Sequence, residues 1–304
     1  MNKFLARGCV TFCGIVLLVT FGSSVRVFAE PSEKPGENKD FVPVFKGEND
    51  RKLWLTSSDG VFEFIVDETG KYAKLMWCSK NEETVVIPSE VTRDGKSYKV
   101  FEVNEQIWER ISRDKIQTIE IAEGVKNFDF GYFCGVHNLK KLIIPQSLNM
   151  NGLDLSCLHG DVEFVLNRAD YVNENGIIYS ADKTELYYFA RKNAKSFVVP
   201  ASVKKIAPYA FTGASEVDVD LSLAKSLEEI GAEAFLHSHM KNVVIPRKVK
   251  VIKRLAFGGC PLETIAFLSK GSNLTIAEEA FRAKGATKRT IYVPGEQKLL
   301  TLKN

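Results

Sequence analysis

From Val85 to Pro294 short apolar runs recur between turns and hold a common phase. They read "VVIP" at 85–88, "LIIP" at 142–145, "FVVP" at 197–200, "VVIP" at 243–246 and "IYVP" at 291–294. Each is β-branched or aromatic and closes on proline, which has no N–H to offer a strand ladder and so ends pairing there. A second pattern keeps step with the first. The markers Trp108, Phe133, Leu158, Phe211, Phe235, Phe257 and Phe281 lie 22 to 25 residues apart, apart from one interval of 53. Five residues ahead of them stand Val103, Phe128, Leu153, Ile206, Ile230, Ile252 and Ile276; eight ahead stand Val100, Val125, Val203, Leu227 and Val249. A period of this length kept at so many positions is the signature of a solenoid, in which no copy can bury its apolar face alone and stacked copies share one core. The expected coil points its Ile and Phe inward onto their equivalents above and below. The alanine before the phenylalanine is small because the turn there is tight.

The long interval holds "YVNENGIIYSADKTELYYFARKNA", where Asn175-Gly176 and "ADKT" are turn signals around two β runs. A β-hairpin inserted at about 171–195 is expected, at the edge of the solenoid and punctuating it. Ahead of the repeats, "GVFEFIVD" and "KYAKLMW" flank "DETG", which predicts a hairpin within a β-rich cap over 53–100. Such a cap shields the apolar end and strand edge of the first coil. The solenoid then occupies 101–304. The segment 30–52, "EPSEKPGENKDFVPVFKGENDRK", is rich in Pro, Gly and charge and reads as a flexible linker.

Residues 1–29 change the picture of where the protein works. Lys3 and Arg7 precede an apolar run from Cys9 to Phe21, and Val27 and Ala29 offer small residues at a cleavage point after Ala29. This predicts a cleaved signal peptide and an exported chain that is extracellular, at the cell surface or periplasmic. The run is shorter than the roughly 20 residues of a spanning helix, so no transmembrane anchor is expected. The whole chain carries a net charge of +3. The charge is uneven: 19 basic and 28 acidic side chains fall in 30–185, against 19 and 10 in 186–304. Such a dipole can steer a charged partner or align molecules head to tail. Cys78, Cys134, Cys157 and Cys260 follow the signal; their spacing matches no zinc motif, and Cys260 stands where other copies have Ala214 and Ser238, which favours buried thiols over bridges.

The cycle "VVIPRKVKVIKRLAFGGC" at 243–260 resembles the BspA-like class of leucine-rich repeats, and the resemblance covers roughly 85–304. It implies a β-rich leucine-rich-repeat solenoid, a right-handed superhelix of short strands, of the kind found in secreted or surface-displayed bacterial proteins. Several of these act as adhesins toward host matrix proteins or other bacteria. The early coils depart from it, with Trp108 in place of the phenylalanine, "DFGYF" without its alanine, and the leucine-based "LDLSCL".

Alternation within a strand sends every second side chain outward. By this phasing the exposed face carries Val86, Glu120, Lys141 with Ile143, Val198, Asp218 with Asp220, Val244, Ala266 and Tyr292. From these, Lys141, Ile143, Val198, Asp218, Asp220, Val244 and Tyr292 are the candidate ligand-binding residues. The partner expected is an extracellular protein or glycan of host matrix or other bacteria. The alternative is a structural component of the cell envelope that self-associates through its ends and oppositely charged halves. Two basic groups, Arg247, Lys248, Lys250, Lys253 and Arg254, and Arg191, Lys192, Lys195, Lys204 and Lys205, offer salt-sensitive contacts to an acidic glycan. Export argues against a nucleic-acid ligand. No catalytic constellation stands out: there is no phosphate loop, nucleophile elbow or zinc-protease motif. His237-Ser238-His239 lacks a third ligand, and Glu228–Glu229 and Glu278–Glu279 lie on exposed repeat positions. A non-enzymatic protein with no cofactor and no metal is the expectation.

Overall fold

The structure, a computed structural model, describes residues 43–45, 51–104, 107, 113–128, 136–150, 155, 158, 161–191, 193–212, 214–269, 274–282 and 290–294. Residues 1–29, read above as a signal peptide, and most of the expected linker over 30–52 lie outside the described residues, as do Trp108, Phe133, Cys134, Cys157 and His159. Six strands open the fold: β1 (Trp54–Thr56), β2 (Phe62–Val66), β3 (Tyr72–Cys78), β4 (Thr84–Ile87), β5 (Glu90–Arg93) and β6 (Lys96–Val103). All but β4 form one sheet in the order β1-β2-β3-β6-β5. Arg93 on the edge strand β5 donates to the carbonyl of Trp54 on the opposite edge at 2.8 Å, so the two ends of this sheet are tied across.

The turn between β2 and β3 is organised by Asp67, which is 2% exposed. Its carboxylate accepts the N–H groups of Thr69 (3.2 Å), Lys71 (2.9 Å) and Tyr72 (2.9 Å) and the Thr69 hydroxyl (2.5 Å). Burial alone would raise the pKa of this carboxyl; the Thr69 hydroxyl and the three N–H groups outweigh it and hold the group below its ordinary value. A depressed folded pKa contributes stability that is fully present above the unfolded value of about 4 and is lost as pH falls through the folded value. Amide protection factors at Thr69, Lys71 and Tyr72 are therefore expected to fall on acidification below pH ~4, ahead of those in the repeats; protection that holds at low pH would remove this role for Asp67.

The repeats begin with β7 (Thr118–Ile121), β8 (Asn127–Phe128), β9 (Lys141–Pro145) and β10 (Glu163–Asn167). Strands β4, β7, β9 and β10 form a parallel sheet, one strand per coil. The chain then turns antiparallel through β11 (Tyr171–Glu174), β12 (Ile177–Ser180) and β13 (Glu185–Phe189). This meander does not sit at the solenoid edge. Ile178, Tyr188 and Ala190 pack into one hydrophobic core with the preceding coils, while Ile177, Tyr179, Leu186 and Phe189 pack into a second core with the following ones. Strand alternation, together with a bulge that separates Leu186 from Tyr188 on β13, puts the two sets on opposite faces, so the meander forms a partition covered on both sides. The buried Tyr188 hydroxyl donates to the Leu155 carbonyl at 3.0 Å and fastens the partition to the earlier coils.

Beyond it each coil supplies two strands. The outer set comprises β14 (Ser196–Val198), β16 (Asp218–Asp220), β18 (Asn242–Ile245), β20 (Thr264–Phe267) and β22 (Thr290–Tyr292). The inner set consists of two-residue strands: β15 (Lys205–Ile206), β17 (Glu229–Ile230), β19 (Val251–Ile252) and β21 (Thr275–Ile276). The inner strands continue from β13 in parallel register, aligning Leu186, Ile206, Ile230, Ile252 and Ile276 in one buried row. The phenylalanines form a second row. Phe211–Phe235, Phe235–Phe257 and Phe257–Phe281 stack at ring-centroid distances of 4.9, 5.0 and 5.0 Å, with interplanar angles of 17°, 11° and 2°. Phe189 of the partition starts this stack at 5.2 Å from Phe211.

The tightness expected beside each alanine has a backbone cause. Tyr209, Glu233, Leu255 and Glu279, each one residue ahead of that alanine, adopt left-handed φ of 60°, 55°, 52° and 61°. The turn then aims the N–H groups of Phe211, Phe235 and Phe257 at the carbonyls of Ala234, Ala256 and Ala280 in the next coil, at 2.7, 2.8 and 2.8 Å. Successive coils are thus hydrogen-bonded at the outer strand, the inner strand and this turn. Among the described residues no helix is long and apolar enough to cross a membrane.

Candidate functional site

The outward positions of the outer strands make the candidate surface, and the register fixes which of them are neighbours. One row runs Val86, Glu120, Ile143 and Val165 across β4, β7, β9 and β10. Its companion row is Thr84, Thr118, Lys141 and Glu163, where the Lys141 ammonium lies 3.5 Å from the Glu163 carboxylate on the adjacent rung. Beyond the partition Val198 pairs with Asp220 and Ser196 with Asp218. Farther along, Val244, Ala266 and Tyr292 align, flanked by Asn242, Thr264 and Thr290.

All seven candidate residues therefore lie on the outward face. Lys141 and Ile143 share β9, strand pairing sets Asp218 and Asp220 beside β14 with its Val198, and Val244 lies two rungs from Tyr292, with Ala266 between them. The outer strands form three separate sheets: four strands before the partition, then β14-β16, then β18-β20-β22. Val86, Val198 and Tyr292 are 43%, 45% and 56% exposed, high for apolar and aromatic side chains held on regular strands. Asp220 also braces its own turn, accepting the Ser222 N–H at 2.7 Å and the Ser222 hydroxyl at 2.9 Å.

Val165 and the 44%-exposed Leu268 belong to this face but were not among the residues singled out from sequence. Their strands, "EFVLN" and "TIAF", alternate as the others do, yet Asn167 and Leu268 stand where proline closes the other runs. Following the alternation rather than the proline would have found both.

The basic groups take a different place. Lys204, Lys205, Lys248, Lys250, Lys253 and Arg254 lie in the turns and inner strands, off the outward rows, and several pair with acids of adjoining coils. Lys250 meets Glu228 at 2.6 Å and Lys205 meets Glu185 at 2.8 Å; Arg254 bridges Glu233 at 3.8 Å and Glu279 at 3.2 Å. The Lys250 hydrogen bond and charge hold the Glu228 carboxyl below its ordinary value, so this acid stays ionised. Glu228 and Glu279 are thereby committed to ties between coils. Lys192 lies outside the described residues.

Elsewhere the chemistry is structural. His237 and His239 are exposed on either side of buried Ser238, and among the described residues no three His, Cys, Asp or Glu side chains gather as metal ligands. Cys78 and Cys260 are buried and unbridged. Burial pushes the Cys78 thiol up to about 11, which keeps it from acting as a thiolate. The Cys260 thiol donates to the Phe235 carbonyl at 3.0 Å and lies 3.3 Å from the Ser238 hydroxyl, so the small residues of that position stack as the repeat requires.

Comparison with known proteins follows the repeats. The family described as "BspA type Leucine rich repeat region" matches residues 96–155 and 182–298, in six copies. Among solved structures the chain is similar to the pneumococcal vaccine antigen PcpA, at 15% identity and TM-score 0.37, covering 80% of this chain and 94% of that one. It is also similar to a leucine-rich repeat protein from Eubacterium ventriosum, at 18% identity and TM-score 0.43, covering 74% and 77%. A third, from Bacteroides ovatus, shows 17% identity and TM-score 0.33, covering 77% and 70%. No curated protein matches the chain.

Proposed function

The chain belongs to the BspA-type leucine-rich repeat family, and from that premise we propose that it is an exported, non-enzymatic recognition protein. It attaches to a protein or glycan on a host or bacterial surface through the outward face of its outer strands. The observation that carries this reading is the recurrence of exposed apolar side chains, Val86, Val198 and Tyr292 foremost, at outward positions in each of the three outer sheets. An array of this kind marks an interaction surface, and solenoids use such faces as extended binding surfaces. The family and the signal-like residues 1–29 support export to the surface. Assembly of the cell envelope through the solenoid ends is the second reading, favoured by the unequal charge of the two halves.

Attachment of the full chain to immobilised matrix proteins, glycans and bacterial cells tests the proposal. Val198→Ser, Val244→Ser and Tyr292→Ala together are expected to reduce attachment at least about tenfold, since truncated central apolar and aromatic contacts each cost on the order of 1–2 kcal/mol. The change in unfolding midpoint should be small, because Val198 and Tyr292 are exposed and Val244 is only half-buried. Undiminished attachment by the folded triple variant would remove the outward face as the binding surface.

A further inference from the structure

Resting on that reading, we infer that the outward face is built for a cationic, extended polypeptide. The two outward rows carry one cation, Lys141, against four acids, Glu120, Glu163, Asp218 and Asp220. The single lysine is already beside Glu163. Glu120, Asp218 and Asp220 meet no cation among the described residues. Asp218 and Asp220 stand in the half of the chain, 186–304, that carries 19 basic against 10 acidic side chains, so acidity at these two positions reflects placement and not composition. Lys195 and Lys241 stand just ahead of β14 and β18 and border the rows without entering them.

The acids alternate with apolar positions: Glu120 lies between Val86 and Ile143, and Asp220 beside Val198. A ligand that satisfies both must present apolar groups and cations from one extended backbone, which a polypeptide with interspersed Lys or Arg does. An acidic glycan or a nucleic acid would meet like charge along these rows. A neutral glycan would want aromatic platforms, and Tyr292 is the one aromatic side chain on the outward positions named above. The acids thus choose the sign of the partner while the apolar positions supply the contact area.

The experiment uses the full chain and a synthetic peptide of alternating lysine and valine. Glutamate–valine and serine–valine peptides of equal length and heparin serve as comparisons. The lysine peptide should bind most tightly and lose affinity steeply as salt is raised past a Debye length of about 8 Å. Glu120→Gln, Asp218→Asn and Asp220→Asn together should weaken it roughly tenfold, as expected of three partly exposed charge contacts, while Asn at 220 keeps an oxygen for Ser222. A control with Glu68→Gln, Glu90→Gln and Glu278→Gln matches the net charge and should bind as the native chain does.

Equal loss in both variants, equal binding of all three peptides, or preference for heparin would each overturn the inference. So would a salt-sensitive dimer abolished by the ladder-acid variant, which would seat a second copy of the chain on this face. The broader reading is separated by attachment: loss on truncating Val198, Val244 and Tyr292, with retention after neutralising the acids, removes the cationic partner and leaves the recognition surface standing.

Discussion

Replacing Phe235 by alanine is expected to cost about 3–5 kcal/mol of unfolding free energy. Its ring is fully buried between Phe211 and Phe257, at 4.9 and 5.0 Å. Those neighbours cannot move into the vacated space. Each belongs to a turn whose N–H is fixed to the next coil, Phe211 to Ala234 at 2.7 Å and Phe257 to Ala280 at 2.8 Å. The cavity therefore persists and adds to the lost burial. Phe281→Ala should cost less, because its ring, stacked on Phe257 and met edge-on by Phe267, is 7% exposed where that of Phe235 is fully buried. Urea unfolding midpoints of the two variants check the order; equal losses would mean that stacking between coils contributes little.

Gly231→Ala is expected to be nearly as damaging, about 3 kcal/mol, through overpacking. A Cβ there would lie 2.5 Å from the backbone nitrogen of Pro208, 2.6 Å from the Ala207 carbonyl carbon and 2.8 Å from the Ile206 oxygen. These are main-chain atoms of the preceding coil, held by Ala207 N–H to Leu186 at 2.9 Å and Gly231 N–H to Ile206 at 2.8 Å. Relief would require separating two rungs. Gly259 makes a useful contrast, since a Cβ there would strike the His237 imidazole, a side chain, at a left-handed φ of 67°. His237→Ala should recover part of the Gly259→Ala loss, leaving the backbone strain of about 1 kcal/mol. No second substitution of a side chain should rescue Gly231→Ala; rescue by one would mean that the coils can slide apart.

The repeat was legible because solenoid packing writes one residue type at one phase. Ile206, Ile230, Ile252 and Ile276 had to be apolar, and the four phenylalanines had to stack, so the inner row could be read without any view of the turns. The outward face was legible through strand alternation alone, which placed Val198, Val244 and Tyr292 correctly. Three things were hidden. Val165 lies within a run that closes on Asn167, and Leu268 stands at the closing position that proline fills in other coils, so neither matches the β-branched run ending in proline, although the alternation that names Glu120 and Ala266 reaches both. The partition role of β11–β13 depends on burial of both faces, and a short apolar run such as "IIYS" does not say how many faces it buries. The left-handed φ at Tyr209, Glu233, Leu255 and Glu279 has no common residue type, because the coil geometry imposes it on whatever side chain stands there. The basic residues misled for a related reason: sequence clusters Arg247, Lys248 and Lys250, while the fold turns Lys250 toward Glu228 and away from the outward rows.

Methyl NMR of the chain bound to the partner that attachment identifies tests the central claim most directly. The outward methyls of Val86, Ile143, Val198, Val244 and Ala266 should shift together, while the buried methyls of Val85, Val199, Val243 and Ile245 move far less. Shifts confined to the inner strands or to the turns around Arg247 and Arg254 would contradict it.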